Sequence, residues 1–109
     1  MKRVVASAIE GYGKVDVLVN SAGVLAGAAM DTADVANYDL NMNINAKGVF
    51  MFMMECVPSM KASGAGSIVN VSSVNGMQSF QGTVAYSSSG AAPGPTETTQ
   101  GAGPCLRRP

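Results

Sequence analysis

The 109-residue sequence contains no histidine and no tryptophan, only two cysteines, and few charged side chains. Without an imidazole there can be no Ser-His-Asp triad and no His-ligated metal site, since both need a ring nitrogen that titrates near neutrality or coordinates as a neutral base. Cys56 lies in an apolar run and Cys105 close to the C-terminus. That spacing gives neither a metal site nor a disulfide framework, so reduced thiols and a cytoplasmic setting are expected. Seven basic residues offset seven acidic ones. A net charge of zero sets up no field that would draw nucleic acid or an anionic membrane surface, and neither is expected as a partner. Long apolar runs are missing as well. The stretch from Gly48 to Met54 is far too short to cross a bilayer, and the apolar residues that follow Met1-Lys2-Arg3 are broken at Glu10 and Gly11, so neither a span nor a signal peptide is expected.

What the chain does have is apolar content, 47% of its residues including eight methionines, which predicts one folded core and at most one small domain. Residues 4–12 fit the end of an amphipathic helix that Gly11 and Gly13 would terminate through a left-handed cap. Residues 15–19 form a β-branched and aliphatic run that reads as a buried parallel strand, closed by Asn20-Ser21-Ala22-Gly23. After a loop, Asp31 or Asp34 can cap a long helix that reaches about Met60, with Pro58 placed to kink or end it. The run from Val49 to Met54 is apolar over more than a full turn, so this helix needs cover on more than one side. Residues 67–71 read as a second buried strand. Strand, long helix and strand make a βαβ crossover. A serine- and glycine-rich stretch then leads to Tyr86, and residues 90–109 read as an irregular or disordered tail behind a partial domain of residues 1–89.

Three segments place polar residues in an order with chemical meaning. Asp16-Val17-Leu18-Val19-Asn20-Ser21-Ala22-Gly23 is a strand running into a turn, and Asn45-Ala46-Lys47-Gly48-Val49-Phe50 sets a carboxamide in mid-helix. Gly66-Ser67-Ile68-Val69-Asn70-Val71-Ser72-Ser73, followed by Tyr86, puts serine at a strand's C-terminal end, where open α/β sheets bind ligands. Taken singly, each has a structural explanation: an ordinary turn, a polar residue on an exposed helix side, a serine-rich loop with a surface tyrosine.

In this order and spacing the three segments resemble the short-chain dehydrogenase/reductase family, continuously over residues 4–89, with Ser21 where a second asparagine is more usual. The resemblance implies an α/β fold built on part of a doubly wound, Rossmann-like parallel sheet, NAD or NADP as cofactor, and a small alcohol or carbonyl substrate. It makes Asn45, Ser73 and Tyr86 the catalytic candidates and Asn20, Ala22 and Gly23 the cofactor-binding ones, with no metal. Ser73 would hydrogen-bond the substrate oxygen and Tyr86 would carry the proton as hydride moves, while Ser72 takes the first role if the register slips by one. Asn45 would bend its helix and hold a water for a proton relay. The long helix containing Val49 to Met54 would serve as a subunit interface, in a homo- or hetero-oligomer.

The sequence also departs from the family. Four residues after the tyrosine, one helical turn later, the family has a lysine whose ammonium lowers the phenol's pKa and binds the cofactor ribose, whereas this chain reads Tyr86-Ser87-Ser88-Ser89-Gly90. An unaided phenol titrates near 10, so at neutral pH little phenolate is available to move a proton. No glycine-rich G-x-x-x-G-x-G segment for the cofactor phosphates precedes the first helix. Ala92-Pro93-Gly94-Pro95-Thr96-Glu97-Thr98 looks like a family segment that normally follows a further helix and strand, which points to a deletion, altered splicing or a frame error. The expectation is therefore an incomplete oxidoreductase, weakly active or inactive as this chain. The competing expectations are a non-enzymatic module that pairs with a full-length relative through the long helix, and a chain whose open sheet edges and apolar surface deny it a stable fold.

Overall fold

A computed structural model describes residues 1–78 and 80–91. Apart from Gly90 and Ala91, the tail expected from residue 90 onward lies outside the described residues.

The chain opens with helix α1 (Lys2–Tyr12), which ends at Gly13 in the left-handed conformation, φ 86°, its N–H donating to the Ile9 carbonyl at 2.8 Å. Gly13 alone provides the cap; Gly11 lies inside the helix. Strands β1 (Val17–Asn20) and β2 (Ser67–Asn70) then pair in parallel, Val17 opposite Ser67 and Asn20 opposite Asn70. Between them runs one long helical rod. It begins with α2 (Val35–Asn41), capped by Asp34, whose carboxylate accepts the Asn37 N–H at 2.7 Å. It widens into a π-helical segment (Met42–Lys47) and continues as α3 (Gly48–Ser63) to a second left-handed glycine, Gly64, φ 80°.

Pro58 neither ends nor stops this helix, which runs five residues further. Proline removes the hydrogen bond to the carbonyl four residues back. Pro58 and Met54, the residue one turn earlier, are both exposed, so water can serve that carbonyl.

The core sits where α1, α3 and the sheet meet. Val5, Cys56 and Met60 are buried at its centre, with Ile9, Val15, Leu18, Phe52 and Ile68 packed around them. Val15, expected within the first strand, instead precedes it and donates its N–H to Ser59 Oγ at 3.0 Å. Nor is β1 buried on both faces: Leu18 joins the core while Val17 and Val19 remain 59% and 57% exposed. Successive strand residues face opposite ways, and among the described residues only one face of this sheet is covered. The serine- and glycine-rich stretch beyond β2 folds into a 3-10 turn (Val74–Gly76) and helix α4 (Val84–Ala91).

Two predictions come from this packing. A Cβ at Gly66 would lie 2.5 Å from both Cβ and Cγ of Met60, so Gly66→Ala should destabilise the fold by about 1–3 kcal/mol in urea titration. Burial, and secondarily the charge of Glu55, push the Cys56 thiol above its ordinary value. The native state therefore keeps this proton longer than the unfolded chain, and the associated stability is lost as pH rises past the ordinary thiol value of about 8.5. Mass-resolved alkylation at Cys56 should accordingly be slow in the native chain and accelerate on unfolding.

Candidate active site

After β1 the chain turns back along the helical rod, and side-chain amides on one face of that rod hold it. Asn45 accepts the Val24 N–H on Oδ1 and donates from Nδ2 to the Val24 carbonyl, both at 2.8 Å. One turn earlier Asn41, with no exposure, accepts the Ala26 N–H at 3.3 Å and donates to the Ala26 carbonyl at 2.9 Å and to the Asn37 carbonyl at 2.8 Å. Asn37 Nδ2 reaches the same Ala26 carbonyl at 2.9 Å. In a regular α-helix, residues spaced by four advance about 40° per step, so a row of three would spiral off the face. The π-helical segment that carries Asn45 has a wider turn, with i→i+5 bonding, and offsets this drift.

Taken by itself, Asn45 read as a polar residue on an exposed helix side. It is instead buried, and its amide is engaged by Val24 and by Ser89, to whose Oγ its Nδ2 donates at 2.9 Å. Ser89 in turn donates to the Tyr86 carbonyl at 2.8 Å. Asn41, Asn37 and Ser89 were not singled out from the sequence. Asparagine recurring every fourth residue was the available signal for the first two, but nothing marks Ser89 within its serine run.

The two serines beyond β2 differ in what they do. Ser72 donates to the Gly90 carbonyl at 2.6 Å and so ties the strand end to α4. Ser73 caps the 3-10 turn, accepting the Asn75 N–H at 3.2 Å, and Asn75 Nδ2 passes the connection on to Thr83 Oγ1 at 3.1 Å. Thr83 bridges to Ala28 and begins the turn into α4, which carries Tyr86. The result is a cavity of about 280 Å³ whose wall includes Gly23, Val24, Asn45, Ser73 and Tyr86, with Ser72 and Gly90 beside them. No charged side chain belongs to this wall among the described residues.

Asn20 lies apart from that cavity. It is buried and donates from Nδ2 to Asn70 Oδ1 at 2.8 Å, a cross-strand pair at the end of the sheet. Asn20 also lines a second, mostly apolar cavity of about 350 Å³ with Leu18, Ile44, Val49 and Phe52. Ser21 and Ala22 contribute to both cavities, so the turn after β1 is a partition between them. At Gly23 an added Cβ would come within 3.2 Å of Asn45 Oδ1, and the bare backbone therefore forms the wall there.

Asn41→Ala should cost about 1–3 kcal/mol in chemical denaturation, because it removes a fully buried carboxamide that bonds the half-buried Ala26 N–H and the Ala26 and Asn37 carbonyls.

Comparison with known proteins gives a consistent result. A model of the short chain dehydrogenase family matches residues 1–99. Trans-4-hydroxycyclohexanecarboxylate dehydrogenase from Sinomonas cyclohexanicum is 42% identical over 82 residues, 75% of this chain and 31% of that protein. The 3-oxoacyl-[acyl-carrier-protein] reductase FabG of Thermotoga maritima is 40% identical over 89 residues, 82% of this chain and 36% of that protein. Among solved structures, NAD+-bound xylitol dehydrogenase superposes with a TM-score of 0.78 at 28% identity, over 84% of this chain and 35% of that one. ElxO with NADP bound gives 0.77 at 27% identity, over 84% and 37%. The chain thus spans about a third of the length of the curated relatives it matches.

Proposed function

Because the chain belongs to the short-chain dehydrogenase/reductase family, we propose that it carries the substrate side of a site that moves hydride between NAD or NADP and a small alcohol or ketone. The observation that carries this reading is the convergence of Asn45, Ser73 and Tyr86 on one cavity, although they come from three separate elements. Ser73 holds the substrate oxygen by a hydrogen bond, and Tyr86 gives that oxygen a proton on reduction or takes it on oxidation. Asn45 keeps the Val24 wall in place. The cofactor, when bound, supplies or accepts the hydride.

The residues present fit the nicotinamide end of that cofactor. The turn of Asn20, Ala22 and Gly23 offers a backbone surface between two cavities, and the missing Cβ at Gly23 lets the Asn45 carboxamide close in behind it. For the phosphates, these 109 residues contain no G-x-x-x-G-x-G segment.

In our reading the chemistry is impaired in this chain. Gly90 stands one helical turn beyond Tyr86 and supplies no positive charge, and no cation lines the described wall of the cavity. A phenol in that setting lacks the partner that would stabilise its ionised form as the proton leaves. Residues 1–89 carry the family domain. Its long helix, with Phe50 and Met54 each 58% exposed, offers a face for pairing with another chain of the family. Among the described residues no helix is long and apolar enough to cross a membrane.

The test uses the position of the missing cation. A Cβ added at Gly90 meets Gly76 and Ser73 atoms at 3.6–3.8 Å, ordinary contact distances, and Gly90 borders the cavity that a longer side chain would enter. With NADH or NADPH and a panel of small ketones, the unaltered chain should turn over at the level of the blank. Gly90→Lys should raise the rate, on the order of 10² in full, and Tyr86→Phe in that background should abolish the gain. Nicotinamide absorbance follows all three. Turnover by the unaltered chain as fast as by Gly90→Lys would defeat the reading.

A further inference from the structure

We infer that Ser89 is a positioning residue, which fixes both the Asn45 carboxamide and the turn of α4 that bears Tyr86 through a single buried hydroxyl. Ser89 is one of the few side chains with no exposure at all. Its oxygen has two partners on different elements. It accepts from Asn45 Nδ2 on the helical rod at 2.9 Å and donates to the Tyr86 carbonyl within α4 at 2.8 Å. Asn45 is in turn locked to both backbone groups of Val24. Val24, Asn45, Ser89 and the Tyr86 main chain therefore form one connected series that crosses the cavity's rear. Val24, Asn45 and Tyr86 belong to the cavity wall, whereas Ser89 does not, so it acts through them and touches no substrate.

A serine suits this place for a definite reason. A hydroxyl donates one hydrogen and accepts another at the same atom, and it rotates to suit both partners. Alanine supplies neither function and would leave the Asn45 amide with a hydrogen that no other described group receives. Thiol is of similar size but a weak donor and weak acceptor. Ser72 donates to the Gly90 carbonyl at the far end of α4, and Thr83, just before the helix, bridges to Ala28 and accepts from Asn75. Among the described side-chain hydrogen bonds, the one from Asn45 to Ser89 is what ties α4 to the rod. What the positioning serves rests on the reading of Tyr86 as proton carrier; the connected series itself does not.

The experiment is NMR on the intact chain labelled at tyrosine Cζ, in which Tyr12, Tyr38 and Tyr86 give three signals, assigned with Tyr86→Phe. In Ser89→Ala the Tyr86 signal should move while Tyr12 and Tyr38 stay in place. Exchange of the Val24 amide should quicken on the order of tenfold, with the Val71 amide, bonded to Asn20 across the sheet, unaffected. A merely structural serine would lower the melting temperature and leave the native-state Tyr86 signal where it was. If Ser89→Ala does not fold, Ser89→Cys, whose slightly larger thiol keeps the site filled, is read by the same two signals. A folded variant in which Tyr86 and Val24 both behave as in the parent chain overturns the inference. Neither signal depends on turnover, so an enzyme assay that refutes the functional reading leaves this one standing.

Discussion

The whole site hangs on the grip that asparagine side chains exert on residues 24–26, using the same donor and acceptor pairing that a neighbouring strand would offer. Carboxamides at Asn41 and Asn45, four residues apart on the rod, meet Ala26 and Val24, two residues apart on the loop, so alternate loop residues are held by successive turns. Backbone amides leaving a sheet need partners once water is excluded, and here a helix face supplies them. Two walls of the cavity are referred to this grip: Gly23 sits against Asn45, and Ser89 joins α4 to it.

Much of the fold was legible because it follows from periodicity and punctuation. Two β-branched runs gave the parallel pair, and Gly13 and Asp34 marked helix ends by left-handed geometry and by side-chain capping. Burial was less legible. Val17 and Val19 belong to a run that reads as fully buried, yet burial depends on what packs across the sheet, which the run itself does not encode. Pro58 shows a similar limit, since its effect on a helix depends on whether the orphaned carbonyl faces water.

The site was legible in its outline and opaque in its wiring. Asn45, Ser73 and Tyr86 could be named from ordered motifs and do line one cavity, and Asn20 pairs instead with Asn70 at the sheet's end. Ser73 was the first choice from the sequence, with Ser72 as the alternative. Both line the cavity, and their hydrogen bonds differ: Ser72 donates to the Gly90 carbonyl, and Ser73 caps the 3-10 turn. Ser89 was invisible because its importance comes from a residue 44 positions away. The lysine implied by the family resemblance was the reverse case, since Tyr86-Ser87-Ser88-Ser89-Gly90 shows in plain sequence that none stands four residues after the tyrosine.

The π-helical segment over Met42–Lys47 has a consequence for how this chain tolerates change in length. It divides the rod into two stretches with different rotational phase, one aimed at the returning loop through Asn37 and Asn41, the other at the core through Cys56 and Met60. Removing a single residue from that segment would let the rod relax to ordinary α geometry. The wider π turn takes up about one residue more than an α turn, so the two flanking stretches would keep nearly their present phase and the change would fall on the segment itself. A residue removed there is thus felt at Asn45 and its hold on Val24 before it is felt at either end of the rod.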